Sequence, residues 1–305
     1  MRLQHTLIRT DNRPLVLAIG FFDGFHRGHQ AIIRQTLLLR RPSYRAGVLT
    51  FSNHPSSLLR PQMQPPLIMT PEERVNSLAA AGIERCFFVP FDPSLASLSP
   101  QAFIQNVLVE KLRVHAVIVG ENFRFGAQRA GDVETARVEL ARHSIGVYAV
   151  QNEMESGERI SSTRVRQLIE QGNVRAADNL LVGSYTLRGR VGIGLGRGHS
   201  LGFPTANLEV AKDKVLPKDA VYAGTARREG RDYTALVSIG TNPTFQGSHR
   251  TIEVWFRDFD CSIYGEEIVV SELRFIREQQ RFADASALAE QMKRDVLEIP
   301  YPSFA

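Results

Sequence analysis

The chain has 305 residues, 43% hydrophobic and 23% charged. That mixture excludes a disordered chain and, at roughly 150 residues per domain, fits about two domains. The net charge is +5, with 21 Lys+Arg against 16 Asp+Glu in residues 1–183 and 16 against 16 in residues 184–305. The excess in the first part fits an anionic ligand, a nucleotide or nucleic acid, but on charge alone an ordinary solvated basic surface is the better reading. No apolar run approaches the roughly 20 residues that a membrane helix needs. The N-terminal MRLQHTLIRTDNRP carries no apolar signal core, so a cytoplasmic protein with no membrane role is expected. Cys86 and Cys261 lie far apart in the sequence. They make neither a disulfide framework nor a structural zinc site and suit a reducing compartment.

In chain order, Leu15–Gly20 reads as a buried strand, followed by a helix from about His29 to Arg40. Ala46–Phe51 is the next strand. Thr70-Pro71-Glu72-Glu73 opens a helix, with Thr70 and Glu73 forming a capping box and Pro71 at its first position. Cys86–Val89 and Ala116–Gly120 are further strands, and Ser99-Pro100 is a helix start. Gly146–Val150 is expected as the last strand of this part, before helices near Thr163–Gln171 and Val174–Leu181. This alternation predicts an α/β, doubly wound parallel sheet. After Gly183 the pattern changes. Tyr185–Val191, Tyr222–Arg227, Thr234–Ile239, Thr251–Phe256 and Glu267–Leu273 are short, β-branched or aromatic segments. They predict an antiparallel β-barrel or sandwich, closed by a helix over about Asp284–Leu297. The expected domains are 1–183 and 184–305.

Gly20-Phe21-Phe22-Asp23-Gly24-Phe25-His26-Arg27-Gly28-His29 is the strongest local signal. It joins the first strand to the first helix, where open parallel sheets bind ligands and a helix start offers free N–H groups to an anion. His26 and His29, three apart, share a helical face. They can donate to phosphate oxygens or serve as a packed capping pair. A P-loop is excluded, because no lysine follows a glycine. Arg159-Ile160-Ser161-Ser162-Thr163-Arg164-Val165-Arg166 places hydroxyls and arginines at a helix start. It fits a second anion site or an ordinary Ser/Thr cap. Between them, Asn122 in ENFRFG follows a strand, and Phe123 and Phe125 can stack on a ring or fill a core.

In the second part, residues 189–207 read GRVGIGLGRGHSLGFPTAN. Its glycines, Gly196 and Gly198 among them, can cover phosphates or simply make a hairpin turn. Thr205 and Asn207 carry neutral oxygens suited to a Mg²⁺ already held by phosphates. Glu253 lies in the apolar strand RTIEV, where a glutamate often points to solvent or pairs with an arginine.

The three first-part motifs together resemble the HxGH nucleotidylyltransferase superfamily, whose members cleave between the α- and β-phosphates of ATP. GFPTAN, SIGTNPTF, RTIEV, the Asp258-Phe259 step, Tyr264-Gly265 and IREQQRF resemble the riboflavin kinase module. Nearly the whole chain is thus similar to bacterial bifunctional riboflavin kinase/FMN adenylyltransferases, also called FAD synthetases. The resemblance implies phosphorylation of riboflavin to FMN and adenylylation of FMN to FAD, with MgATP used in both steps and flavins as substrate and product. It implies a set of small-molecule partners (riboflavin, FMN, FAD and ATP) with no nucleic acid, and a monomer is expected.

Carried over by position, His26 and His29 act in adenylyl transfer, and Asn122, Arg159 and Ser162 bind its ATP. Asp23, Ser161, Thr163 and Arg166 belong to the same motifs. Thr205 and Asn207 hold the kinase Mg²⁺ and nucleotide, with Gly196 and Gly198 over the nucleotide, and Glu253 is the kinase's general base. A base is needed there because a ribityl hydroxyl must lose a proton to attack phosphate, whereas FMN phosphate is already anionic. The chain departs from the family pattern at Ser52-Asn53, where an acidic residue and a proline are usual, and at His199, Trp255 and Gln279, where Arg, His and Glu are usual. A single-activity enzyme with one degenerate module, a non-catalytic flavin- or nucleotide-binding regulator and a tRNA-acting ligase are the alternatives.

Overall fold

A computed structural model describes residues 1–9, 11–193, 203–241, 250–259 and 261–299. Contacts divide the chain into two units, Met1–Ser162 and Thr163–Ala305.

In the first unit the apolar runs become strands because both their faces are covered. Among the described residues, six parallel strands form one sheet: β1 (Arg2–Gln4), β2 (Leu15–Ile19), β3 (Arg45–Phe51), β4 (Arg85–Val89), β5 (Val114–Gly120) and β6 (Gly146–Val150). Their spatial order is β1-β4-β3-β2-β5-β6. Leu15, Leu17 and Ile19 pack with Phe103, Val107 and Leu140 on one face; Val16 and Ala18 pack with Phe25, Ile33 and Leu78 on the other. This is the doubly wound sheet expected, its alternating side chains feeding two helical layers. The chain moves outward from β2 through β3 on one side and through β5 on the other, so the topological switch point lies between β2 and β5.

Two helices start as the sequence predicts. Thr70 and Glu73 form a reciprocal capping box ahead of the helix Pro71–Ala80. Ser99 caps the turn at Pro100, which continues as a π-helical stretch over Phe103–Lys111. One expectation is corrected. Strand β6 is followed by a further hairpin, β7 (Met154–Glu155) and β8 (Glu158–Arg159). Its turn carries Ser156 and Gly157 at positive φ, and its two-residue strands give too short a pattern to read from sequence.

The second unit closes as a barrel, not a sandwich. Among the described residues its strands are β9 (Leu187–Gly192), β10 (Thr205–Val210), β11 (Ala220–Arg228), β12 (Arg231–Thr241), β13 (Arg250–Phe256) and β14 (Glu267–Glu278). All pair antiparallel in the cyclic order β10-β13-β12-β11-β14-β9. Ile252, Val254 and Phe256 alternate inward, with Ala235, Val237 and Ile239 on the adjacent strand. On the outer face, Val221, Ala223 and Leu236 pack with Trp255 and with Val296 of the closing helix Ala285–Leu297. Asp295 of that helix, 1% exposed, takes a forked pair of bonds from Arg277 at 2.8–3.1 Å. Arg257 and Arg274 donate to the carbonyls of Val296 and Glu298, where the helix C-terminus favours cations.

Candidate active sites

The turn after β2 is built by backbone strain. Phe22, Gly24 and Phe25 all have positive φ, at 58°, 83° and 38°. Bulky residues rarely adopt that region, and such outliers persist only where surroundings over-determine them. Here Phe22 and Phe25 are buried in the core. The Phe21 carbonyl accepts from Thr50 Oγ1 at 3.0 Å and from Arg74 Nη1 at 2.9 Å. The Asp23 carboxylate accepts from the N–H groups of Ile68 and Met69 at 3.1 and 2.9 Å.

The turn delivers His26 to the N-cap of the helix Arg27–Leu38, where its Nδ1 accepts from the His29 N–H at 3.3 Å. The two imidazoles stack at 3.7 Å, and His29 also leans on Phe22. A Cβ on Gly28 would meet the His26 ring at 3.2 Å. A larger residue at 28 would have to push the ring aside by a few tenths of an ångström. The pair therefore caps the helix and packs as a stack.

Ser162 brings the second motif to the first: its Oγ donates to the Asp23 carbonyl at 2.8 Å. Arg27 is paired with Glu155 of the β7–β8 hairpin, the element that leads into Arg159. Asn122 follows β5, next to β2 at the switch point, and is exposed, as is Arg159. Ser161 is half-buried, Thr163 exposed and Arg166 buried on the helix Ser162–Glu170. Phe123 and Phe125 stack on each other at 5.3 Å, Phe125 in the core and half-buried Phe123 packed against it. Asn53, a departure from the family pattern, braces its loop by bonding both the N–H and the carbonyl of Phe91, and His54 caps the helix Pro55–Leu59.

Arg74 was missed by sequence reasoning. It is 1% exposed, and its guanidinium lies 4.2 Å from the Phe21 ring and 5.2 Å from Phe88. Burial lowers its pKa to about 10, with the Asp23 charge acting in the opposite sense. Its signal was a charge at the core-facing position four residues before Leu78, inside an amphipathic stripe.

The barrel site is built by register instead. Asn207 on β10 lies directly opposite Glu253 on β13, and Thr205 opposite Trp255. Thr205 Oγ1 donates to Glu253 Oε2 at 3.4 Å. On the other flank Ser238 of β12 faces Glu253. Gln279 Nε2 donates to Ser238 Oγ and to the Ile239 carbonyl, both at 3.0 Å. Ser238 was not singled out from the sequence, and Gln279 only as a departure. The signal for Ser238 is the period-two alternation of β12, which turns it to the face opposite Val237 and Ile239 and beside Glu253. Thr205, Asn207 and Glu253 are all half-buried, so they can be reached from solvent. Gly196, Gly198 and His199 lie outside the described residues.

The first unit thus gathers two imidazoles and a serine hydroxyl at one turn, and the barrel carries Thr205, Asn207 and Glu253 on one strand face. The comparisons agree module by module. The family model for FAD synthetase matches residues 8–164, and that for riboflavin kinase matches residues 181–300. A bifunctional riboflavin kinase/FMN adenylyltransferase from Listeria monocytogenes is 36% identical over 92% of this chain and 90% of its own length. Its namesake from Escherichia coli is 35% identical over 96% and 94%. A solved structure from Streptococcus pneumoniae, described as a macrolide-efflux protein, is 31% identical with a TM-score of 0.85 and covers 95% of this chain and 94% of that one. Among the described residues no helix is long and apolar enough to cross a membrane. The chain belongs to the bifunctional riboflavin kinase/FMN adenylyltransferase family, and it is an enzyme of flavin cofactor biosynthesis.

Proposed function

We propose that the two reactions run at two sites, one in each module, with 1–183 as the adenylylation module and 184–305 as the kinase module. Riboflavin and ATP give FMN and ADP in the second; FMN and ATP give FAD and pyrophosphate in the first. The observation that carries this reading is the placement of Glu253 between Asn207 and Ser238 on one strand face. A carboxylate is thereby fixed beside neutral oxygens that suit a metal–nucleotide.

In the kinase site, Glu253 takes the proton of the ribityl hydroxyl as its oxygen attacks the γ-phosphorus and ADP leaves. Thr205 and Asn207 would hold Mg²⁺. Their hydroxyl and amide oxygens are hard donors, and among the described residues no group of three His, Cys, Asp or Glu side chains could cage a metal. The set therefore fits a cation that brings phosphate ligands with it. Bound there, Mg²⁺ neutralises phosphate charge. Gly196 and Gly198 are assigned to the same nucleotide from the sequence motif alone.

In the adenylylation site, a phosphate oxygen of FMN attacks the α-phosphorus of ATP and pyrophosphate leaves, with no general base required. His26 and His29 donate to the phosphates. Asn122, Arg159, Ser161, Ser162, Thr163 and Arg166 orient and neutralise the nucleotide, and Asp23 positions the turn. The partners are riboflavin, FMN, FAD and ATP, with no role for nucleic acid or membrane. The expected setting is a monomer in the cytoplasm.

Separation of function tests this reading. Glu253→Gln should slow FMN formation by about 10²–10⁴-fold and leave FAD formation from supplied FMN intact. His29→Ala should do the reverse. Product chromatography with riboflavin or FMN plus MgATP reads both, and loss of both activities from either folded variant would refute two sites.

A further inference from the structure

We propose that Arg74 is a positioning residue for adenylyl transfer: from inside the first unit it fixes the backbone of the turn that presents His26 and His29. This rests on reading that turn as the adenylylation site.

Arg74 is a poor choice for stability alone. It sits fully inside the first unit, on the core-facing side of the helix Pro71–Ala80. An apolar side chain of similar size would fill that place without removing a guanidinium from water. Of its donors, Nη1 bonds the Phe21 carbonyl, while Nε and Nη2 make no hydrogen bond. Its remaining compensation is the aromatic sandwich of Phe21 and Phe88 and the nearby Asp23 charge.

Every one of these interactions except Phe88 belongs to the turn. Phe21 and Asp23 bracket Phe22, the first residue with positive φ. Segment 68–74 grips both brackets: the Ile68 and Met69 amides hold Asp23, and Arg74 holds Phe21. Ser162 then bonds the Asp23 carbonyl, and His29 rests on the Phe22 ring. Rotation at Phe21 or Phe22 would therefore move the imidazole stack and the serine hydroxyl together. The capping box fixes the start of the helix that carries Arg74, so the guanidinium acts from a rigid base.

The test uses the full chain with Arg74→Met and Arg74→Lys, measuring FAD formation from FMN and MgATP. Riboflavin phosphorylation and thermal melting are followed in parallel. Arg74→Met should lower kcat by about tenfold to a hundredfold, the effect of a small misplacement of reacting groups. The KM for ATP and riboflavin phosphorylation should change little. Arg74→Lys should recover part of kcat, because it keeps a donor for the Phe21 carbonyl but loses the planar contact with Phe21 and Phe88. A folded Arg74→Met protein with unchanged kcat overturns the proposal. So does a Lys variant no better than Met, with both losing activity only as far as they lose thermal stability. Should Arg74→Met fail to fold, Arg74→Gln decides, since it removes the guanidinium and keeps a polar side chain in that place: a drop in kcat beyond any loss of thermal stability supports the proposal and an unchanged kcat overturns it. Wild-type protein that forms no FAD from FMN would instead overturn the reading of the site on which the proposal rests.

Discussion

In the first unit, His26 and His29 are presented by backbone: residues with positive φ, pinned by Asp23, Thr50 and Arg74, throw the chain from β2 into a helix. In the barrel, Thr205, Asn207 and Glu253 are presented by register, as regular cross-strand neighbours on extended β10 and β13. The difference teaches where each site is vulnerable. A turn-built site depends on buried groups such as Arg74 and Thr50 and on glycines at crowded or left-handed positions. A register-built site depends on strand pairing and on whatever keeps the outer barrel face in place.

The closing helix is the largest lever on the second site. Asp295 and Arg277 form a buried forked pair with side-chain exposures of 2% and 14%, and Gln291 adds a bond to the same carboxylate. Removing one partner of such a pair leaves a buried charge uncompensated and costs about 3 kcal/mol. Asp295→Ala should therefore lower the denaturant midpoint, uncover Trp255 to fluorescence quenchers and weaken riboflavin phosphorylation. FAD formation from FMN should persist. Equal loss of both activities would erase the contrast between the modules.

Glycine substitutions sharpen the same comparison at a smaller scale. Gly24 combines φ of +83° with a Cβ position 2.9 Å from Ile68 Cδ1. Alanine there meets both left-handed strain and a crowded core, together about 2 kcal/mol. Gly230, in the β11–β12 turn, has φ of +78° and nothing within 4 Å of its Cβ position, so alanine there costs about 1 kcal/mol from strain alone. Gly24→Ala should also depress FAD formation, while Gly230→Ala should leave both reactions unchanged. Urea melts and paired assays distinguish the two.

How far each site can be read from sequence follows from how it is built. The parallel strands are legible because Leu15–Ile19 and Ala116–Val119 are apolar on both faces, and the capping box because its residue types are specific. The HxGH turn is legible as a motif, but the strain that shapes it is not, since Phe22 and Phe25 are residues that normally avoid positive φ. Arg74 is illegible as a site residue because its role lies in a carbonyl 53 residues away. β1 is missed because Arg2–Gln4 has no apolar pattern and is held by pairing with β4. β10 is missed because PTAN reads as a ligand motif. Yet its alternation of Ala206 and Leu208 inward with Thr205 and Asn207 outward is the period-two signal of a strand.

The smallest predicted effect contrasts buried Asp23 with half-buried Asp178. Asp23 accepts amides from Ile68 and Met69, whereas Asp178, in the second unit, accepts the Tyr185 N–H at 2.6 Å. Burial, helped by the Glu272 charge and opposed by that amide, raises the Asp178 pKa from 3.8 to about 6. The raised value fixes the sign. Between about pH 4 and 6 the folded protein retains a proton that the unfolded chain has released, so stability from this group falls as pH rises through that window. Above about pH 6 the loss is complete, at about 1 kcal/mol once solvent screening of this partly accessible carboxylate is allowed for. Asp178→Asn keeps an oxygen to accept the Tyr185 N–H and removes the charge beside Glu272. It should raise the urea midpoint at pH 7.5 by the equivalent of about 1 kcal/mol and have little effect at pH 4. A variant less stable than wild type at pH 7.5 would show that the ionised carboxylate is needed there, as a backbone clamp of the kind Asp23 provides in the other unit.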